Sequence, residues 1–243
     1  GAEKLKSDVR EAFRLKFGLE IYEGYGATET APVACVNMPN MLDPDTLNSF
    51  TFSKTGSVGL PLPGTVIKIV NPETLEELAT GEDGLILIGG GQVMKGYLND
   101  PEKTADVIVE IDGVRYYKTG DKGHIDAQGF ITIVDRYSRF AKIGGEMISL
   151  GAIEEALLQV FGDETQFTAT NISDEKKGES VFLLVKSALD LAEIKARIKA
   201  SSLVPIMQPS EVLLVEEIPL LGSGKVDFKG AKQLAQKLLT QAV

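Results

Sequence analysis

The sequence predicts an α/β and α+β protein in two parts: a helix and strand leading into a β-rich subdomain over residues 1–135, then a small α+β domain over residues 136–243. Three observations carry this reading. Residues 3–17 repeat apolar side chains at a helical period, short β-branched runs between Thr55 and Val134 are broken by Gly, Pro and Asp, and beyond Arg136 helical and extended patterns alternate.

In chain order, Leu5, Val9, Ala12, Phe13 and Phe17 share one helical face, and Gly18 stands where a helix stops, which predicts a helix over Glu3–Phe17. Leu19–Glu23 reads as a short strand and Gly24-Tyr25-Gly26 as the loop leaving it. Strands are predicted at Thr65–Val70, Gly84–Ile88, Val107–Ile111, Val114–Lys118, His124–Ile125 and Phe130–Val134, with a short helix at Pro101–Ala105. Asp112-Gly113 between two of these runs predicts a hairpin, because glycine takes the positive φ of a tight turn. In the second part, helices are predicted over Leu150–Val160, Leu189–Ala200 and Phe228–Leu239. Strands are predicted over Gln166–Ile172, Val181–Lys186 and Glu211–Val215, and the domain boundary at Asp135-Arg136.

Composition excludes several classes of function. With 43% hydrophobic and 25% charged residues in 243, the chain has the balance of a soluble globular protein, and no apolar run reaches the ~18–20 residues of a membrane span. The start, Glu3-Lys4-Leu5-Lys6, is unlike a signal peptide. Cys35 is the only cysteine and His124 the only histidine, which leaves no internal disulfide, no histidine-rich zinc site and no Ser-His-Asp triad; the lone cysteine suits a reducing, cytoplasmic compartment. A net charge of −10 argues against nucleic acid as a partner. That charge is uneven: residues 1–135 hold 12 Lys+Arg against 21 Asp+Glu, and residues 136–243 hold 13 against 14. Arg136, Arg139 and Lys142 cluster at the start of the second part, either as a solvated loop or as a surface facing a phosphate or partner.

Four segments carry candidate chemistry. Tyr25-Gly26-Ala27-Thr28-Glu29 places an aromatic ring, small residues, a hydroxyl and a carboxylate within one turn, which are groups a nucleotide and a magnesium ion need. A plain glycine turn is the alternative. Asp121 closes Tyr117-Lys118-Thr119-Gly120-Asp121, as an ionised acceptor or as a turn residue before Lys122-Gly123. Gly222-Ser223-Gly224-Lys225 is not a phosphate loop, because Pro219 stands near the place of the required first glycine and Val226 follows Lys225. His124 is expected on the solvated side of a strand, without a catalytic role.

The order and content of these segments, with Asp135-Arg136 between them, resemble the adenylate-forming superfamily, which joins a carboxylate to AMP and then to a thiol. The resemblance covers essentially the whole chain. It implies that Tyr25 packs on adenine, Thr28 contacts the α-phosphate of ATP and Glu29 helps hold Mg²⁺. Gly1, Ala2, Glu3 and Gly26 belong to the implied nucleotide site; Asp121 accepts both ribose hydroxyls and Arg136 adds a second ribose contact. Lys225, on a flexible glycine loop, is the implied catalytic cation, acting with Thr28 and Glu29. A phosphate loop expected well before Tyr25 is not in the sequence, so the chain reads as the C-terminal portion of a larger enzyme.

The run from Asp135 to Glu154 aligns with the superfamily's hinge segment, with two departures: Asp135 replaces a usual Gly, and Ser138 replaces the usual hinge Asp or Lys. A serine still absorbs backbone rotation, but it carries no charge for an electrostatic latch. Lys142, Gly144 and Gly145 are implied for the thiol and pantetheine channel, with a purely structural Gly-Gly turn as the competing view. Phe140–Leu150, with Glu146-Met147 after Gly145, and Leu220–Phe228 are similar to the acyl-acyl carrier protein synthetase part of bifunctional lysophospholipid acyltransferases. This implies a fatty acid substrate, acyl carrier protein as partner through its phosphopantetheine thiol, and membrane contact only through a separate N-terminal acyltransferase, at the cytoplasmic face of an inner membrane. Coenzyme A ligases, amino-acid adenylation domains and a non-catalytic nucleotide-binding or carrier-docking module are the alternatives.

Overall fold

A glycine ends the first helix, as its position predicts. Gly18 adopts φ 66° and its N–H reaches the Arg14 carbonyl at 2.8 Å, closing α1 (Ser7–Phe17). The computed structural model describes residues 1, 5–162, 165–174 and 176–241. The expected helix start at Glu3 lies outside the described residues, and α1 itself begins at Ser7 and buries none of its side chains. Packing contacts divide the chain into two units, Gly1–Arg136 and Tyr137–Val243.

In the first unit the strand expected at Leu19–Glu23 lies instead at β1 (Gly24–Tyr25), antiparallel to β2 (Cys35–Val36), which pairs with β5 (Leu60–Pro61). A strand needs a ladder partner, and no described strand pairs with Leu19–Tyr22. A small hairpin of β3 (Met41–Leu42) and β4 (Ser49–Phe50) was not signalled by the pattern.

The main sheet runs β10-β9-β7-β6, formed by β6 (Thr65–Val70), β7 (Gly84–Gly90), β9 (Val114–Ile125) and β10 (Ile131–Arg136). Between β7 and β9, α2 (Pro101–Val107) leads directly into β8 (Ile108–Ile111), which pairs with the first half of β9 through Asp112-Gly113, both at positive φ (51° and 75°). The central strand β7 holds Leu85–Ile88 buried, a continuous apolar run as expected of a strand covered on both faces. Ile86 and Ile88 join Ile69, Ile131, Ala34 and Cys35 in the core, and burial pushes the Cys35 thiol up to about 12, which leaves it an inert apolar residue.

The two strands expected at Val114–Lys118 and His124–Ile125 are one. The interruption between them is a bulge: Leu87 faces Lys118, yet Leu85 faces Lys122, so Thr119-Gly120-Asp121 loops out of the ladder without ending the strand. His124 sits on that strand with its Nδ1 2.8 Å from the Asp83 carboxylate.

The second unit is a sheet with helices. Its strands β11 (Phe140–Ile143), β12 (Glu146–Ser149), β13 (Gln166–Asp174) and β14 (Gly178–Lys186) are ordered β12-β11-β14-β13, and β15 (Glu211–Leu214) runs parallel to β14. Because β15 occupies β14 from Phe182 to Val185, β11 pairs with that edge only at Ile143 opposite Gly178. Side chains replace the missing ladder: Asn171 Nδ2 donates to the Phe140 carbonyl at 2.9 Å, and the Lys142 N–H donates to Glu179 at 2.7 Å. The β11–β12 hairpin stands within the segment aligned to the hinge, and Gly144 and Gly145 (φ 58° and 93°) form its two-residue turn. Helices α3 (Leu150–Phe161) and α4 (Leu191–Ala200) are capped by Ser149 and Asp190, which is why α4 starts two residues later than its apolar period suggests. With α5 (Phe228–Gln241) they cover the sheet, and Ile153, Leu157 and Ile194 are fully buried. No helix among the described residues is long and apolar enough to cross a membrane.

Candidate nucleotide site

The first wall of the site is built where β1 leaves its sheet. Tyr25 is its last residue, and at Gly26 a Cβ would lie 2.0 Å from the Pro32 carbonyl oxygen. The chain's own returning loop comes so close that only glycine fits here. Next, Thr28–Thr30 form a 3-10 turn. Buried Thr30 accepts from the Ala27 N–H and donates to the Ala27 carbonyl, both at 3.0 Å, so Thr30 holds the turn while Thr28 faces solvent. Glu29 is half-buried: the Tyr97 hydroxyl donates to its Oε1 at 2.6 Å, and its own carbonyl accepts the Met94 N–H at 2.8 Å. The Glu29 carboxylate, and then burial, push the Tyr97 hydroxyl up to about 12, so it stays a donor.

The second wall is the β9 bulge. Gly120 at φ 74° lets the chain loop out, and the Thr119 hydroxyl donates to the Ile86 carbonyl at 2.9 Å while accepting the Asp121 N–H at 3.0 Å. Asp121 is thereby fixed and buried, 7% exposed. Its two oxygens are each engaged once, by the Tyr25 hydroxyl at 2.5 Å on Oδ2 and by Arg136 Nε at 3.1 Å on Oδ1. An ionised carboxylate has about four acceptor positions, so both oxygens retain capacity for ligand hydroxyls. Burial raises the Asp121 carboxyl above the usual aspartate range, against the opposing pull of the Tyr25 hydroxyl and the Arg136 charge. Burial and the Asp121 charge in turn push the Tyr25 phenol far up, which keeps it a neutral donor. Arg136, at the end of β10, leaves 68% of its side chain in solvent.

Tyr25, Gly26, Thr28, Glu29, Asp121 and Arg136 thus all stand in the first unit, on elements meeting β1 and the bulge. Gly1 lies beside β1, where a Cβ would meet the Gly24 carbonyl at 3.4 Å; Ala2 and Glu3 lie outside the described residues. Lys225, Ser138, Lys142, Gly144 and Gly145 belong to the second unit. Lys225 closes a three-residue hairpin turn, its carbonyl accepting the Leu221 N–H at 2.7 Å, with Gly224 at φ 84°. Ser138 is the middle of a 3-10 turn, Tyr137–Arg139, and the Lys142 side chain is exposed. Sequence reasoning missed Tyr97, Thr30 and Thr119, all of which position the proposed ligand contacts. Thr119 was inside the quoted motif, but Tyr97 is 68 residues from Glu29 and no local pattern marks it.

No group of three or more His, Cys, Asp or Glu among the described residues is placed to hold a metal. Magnesium commonly retains waters and binds through one or two carboxylates plus substrate phosphates, so the single carboxylate of Glu29 fits Mg²⁺ only together with a nucleotide.

Comparison with known proteins accords with this geometry. Residues 1–98 match the family model "AMP-binding enzyme". The chain is 34% identical over 230 residues to a long-chain-fatty-acid–CoA ligase of Bacillus subtilis, covering 93% of this chain and 38% of that protein. It is 34% identical over 231 residues to a 4-coumarate–CoA ligase of Vanilla planifolia, covering 93% and 40%. The ATP-bound structure of MatB from Rhodopseudomonas palustris superposes with a TM-score of 0.74 at 26% identity, covering 95% of this chain and 44% of that one. The chain therefore spans about two fifths of the length of these relatives. From the motif segment, the fold and these matches together, the chain belongs to the AMP-binding enzymes, the acyl-AMP ligase superfamily.

Proposed function

We propose that this chain supplies one wall of the nucleotide site and the mobile C-terminal domain of an ATP-dependent acid–thiol ligase. The observation that carries the reading is the hydrogen-bonded set Tyr25–Asp121–Arg136, with exposed Thr28 and half-buried Glu29 one turn from Tyr25. Asp121 accepts the ribose hydroxyls on its remaining lone pairs, Arg136 adds a ribose contact, Tyr25 lends its ring to adenine and Thr28 its hydroxyl to the α-phosphate. Gly1, Ala2, Glu3 and Gly26 belong to the same nucleotide site. Glu29, held by Tyr97, takes Mg²⁺, which neutralises phosphate charge when bound.

In the proposed reaction a carboxylate oxygen attacks the α-phosphorus of ATP; the α–β P–O bond breaks and pyrophosphate leaves. A thiol then attacks the acyl carbon, the C–O bond to AMP breaks, and the thiol proton is lost as the thioester forms. Lys225, a mobile point charge at a hairpin tip, stabilises the charge developing between carboxylate and α-phosphate. Rotation near Ser138 exchanges the two half-reactions, and Lys142, Gly144 and Gly145 line the approach of the pantetheine thiol. Lys225→Ala in the full-length protein should depress acyl-adenylate formation by roughly two to three orders of magnitude while thiol capture of supplied acyl-AMP largely survives. Survival of both steps at wild-type rates removes Lys225 from the mechanism.

For the acceptor, Phe140–Leu150 and Leu220–Phe228 support acyl carrier protein, as in the synthetase part of bifunctional 2-acylglycerophosphoethanolamine acyltransferase, which acts on fatty acids at the cytoplasmic face of the inner membrane. A second reading, coenzyme A, is favoured by the names of the relatives, both coenzyme A ligases. The full-length protein, given ATP and a long-chain fatty acid with either acyl carrier protein or coenzyme A, decides between them by which thioester accumulates. No pyrophosphate release with any fatty acid would contradict the ligase reading itself.

A further inference from the structure

Arg139 is a buried cation outside the nucleotide site. Its side chain is 6% exposed and its Nη2 donates to Glu154 Oε2 of α3 at 2.5 Å, while Glu154 Oε1 accepts the Thr168 hydroxyl at 2.9 Å and the Ala169 N–H at 2.8 Å from β13. The Cζ of the same guanidinium lies over the Phe228 ring, 3.9 Å from its centroid. Phe228 opens α5, immediately after Asp227, whose N–H reaches the Pro219 carbonyl at 2.9 Å and whose carboxylate caps the helix through the Gly230 N–H at 3.0 Å. Pro219 and Asp227 are the two feet of the Lys225 hairpin, which Leu220 and Val226 continue as a bridge. Arg139 itself lies three residues after Arg136, in the first turn of the second unit.

We propose that Arg139 is a positioning residue that couples the start of the second unit to the base of the Lys225 hairpin through the ring of Phe228. The coupling is confined to the second unit; its meaning for catalysis rests on the proposed role of Lys225. Glu154, anchored on two elements of that unit, fixes the guanidinium, and the guanidinium fixes the ring at the foot of the hairpin. Planarity is what the arrangement uses: a lysine retains the charge for Glu154 but has no flat face to lay on the ring.

Hydrogen exchange on this chain tests the coupling. Phe228 is 42% exposed, so Phe228→Leu leaves the unit folded. Both Phe228→Leu and Arg139→Lys should speed exchange of the hydrogen-bonded amides of Leu221, Gly224 and Asp227 by about tenfold, with the amides of α4 unchanged. The double variant should exchange no faster than either single one, because both changes break one link. Independent, additive effects, or no effect on the hairpin, overturn the coupling. In the full-length protein Phe228→Leu should lower the rate of acyl-adenylate formation with the KM for ATP unchanged, and an unchanged rate overturns the positioning role. If Lys225→Ala leaves that step intact, it is the role of Lys225 that fails, and the exchange result still judges the coupling.

Discussion

Two arginines three residues apart, Arg136 and Arg139, each pair with a carboxylate, and the pairs are opposite in design. In the first unit the acid is the buried partner: Asp121 keeps 10% of its side chain exposed and Arg136 keeps 68%. In the second unit the base is buried: Arg139 keeps 6% and Glu154 keeps 25%. Glu154 engages three partners, an arginine, a threonine hydroxyl and a backbone N–H, all from its own unit, whereas Asp121 holds one partner on each oxygen and has acceptor positions to spare. The difference teaches what burial is for in each place. A carboxylate engaged by three partners inside a fold is an anchor; a fixed carboxylate with acceptor capacity left over suits a site.

The anchor should break at the larger cost. Glu154→Ala removes the carboxylate that holds the buried Arg139 side chain, at a cost of about 3 kcal/mol, the low end for such pairs because Glu154 is 25% exposed. Denaturant unfolding followed by far-UV circular dichroism measures it, and replacing both residues together, Arg139→Met with Glu154→Leu, should recover most of the loss.

The site pair should respond the other way. Arg136→Ala is expected to change stability by less than about 1 kcal/mol, since the guanidinium is largely solvated, yet to weaken nucleotide binding by about tenfold through loss of a charged contact. A large loss of stability with unchanged binding would turn Arg136 into a second anchor.

The smallest effect sharpens the comparison by pH. The Asp121 carboxyl is raised in the folded state, mainly by burial, so its ionisation costs stability: the cost is absent below the unfolded-state pKa, grows as pH rises through the folded-state value and stays constant above it. Asp121→Asn should therefore stabilise the chain slightly at neutral pH, lose that advantage in acid, and bind nucleotide less well throughout. Asp174, the last residue of β13, has the opposite sign. The Ser180 hydroxyl and two backbone N–H groups lower its carboxyl, so its contribution is present above the unfolded value and fades as pH falls through the lower folded value.

Much of this site could be read from local sequence because its chemistry is local. Tyr25, Thr28 and Glu29 lie within one turn, and Thr119-Gly120-Asp121 carries both the ligand carboxylate and the hydroxyl that fixes it. What was not legible depends on partners distant in sequence. Tyr97 meets Glu29 only because β7 and α2 fold back on the turn, and the strand at Gly24–Tyr25 exists only because Cys35–Val36 returns beside it. The bulge in β9 looked like a gap between strands, since a Gly-Asp pair breaks a β-branched pattern whether the chain turns or merely loops out. Gly144-Gly145 allowed either a close approach to the pantetheine arm or a structural turn, and it forms a hairpin turn, which is compatible with both. Helix ends were legible wherever a side chain or glycine caps them, as at Gly18 and Ser149.

The central claim is that Tyr25, Thr28 and Asp121 form one wall of a nucleotide site within the first unit. Its most direct test is an NMR titration of this chain with AMP, following the backbone amides. One wall alone should bind weakly, with a Kd near ~1 mM, equivalent to about 4 kcal/mol. Gly26, Thr28 and Asp121 should shift together along one binding curve, and Asp121→Ala should abolish the response while the fold persists. Shifts elsewhere in the chain, no shifts at millimolar AMP, or an undiminished response in Asp121→Ala would contradict it.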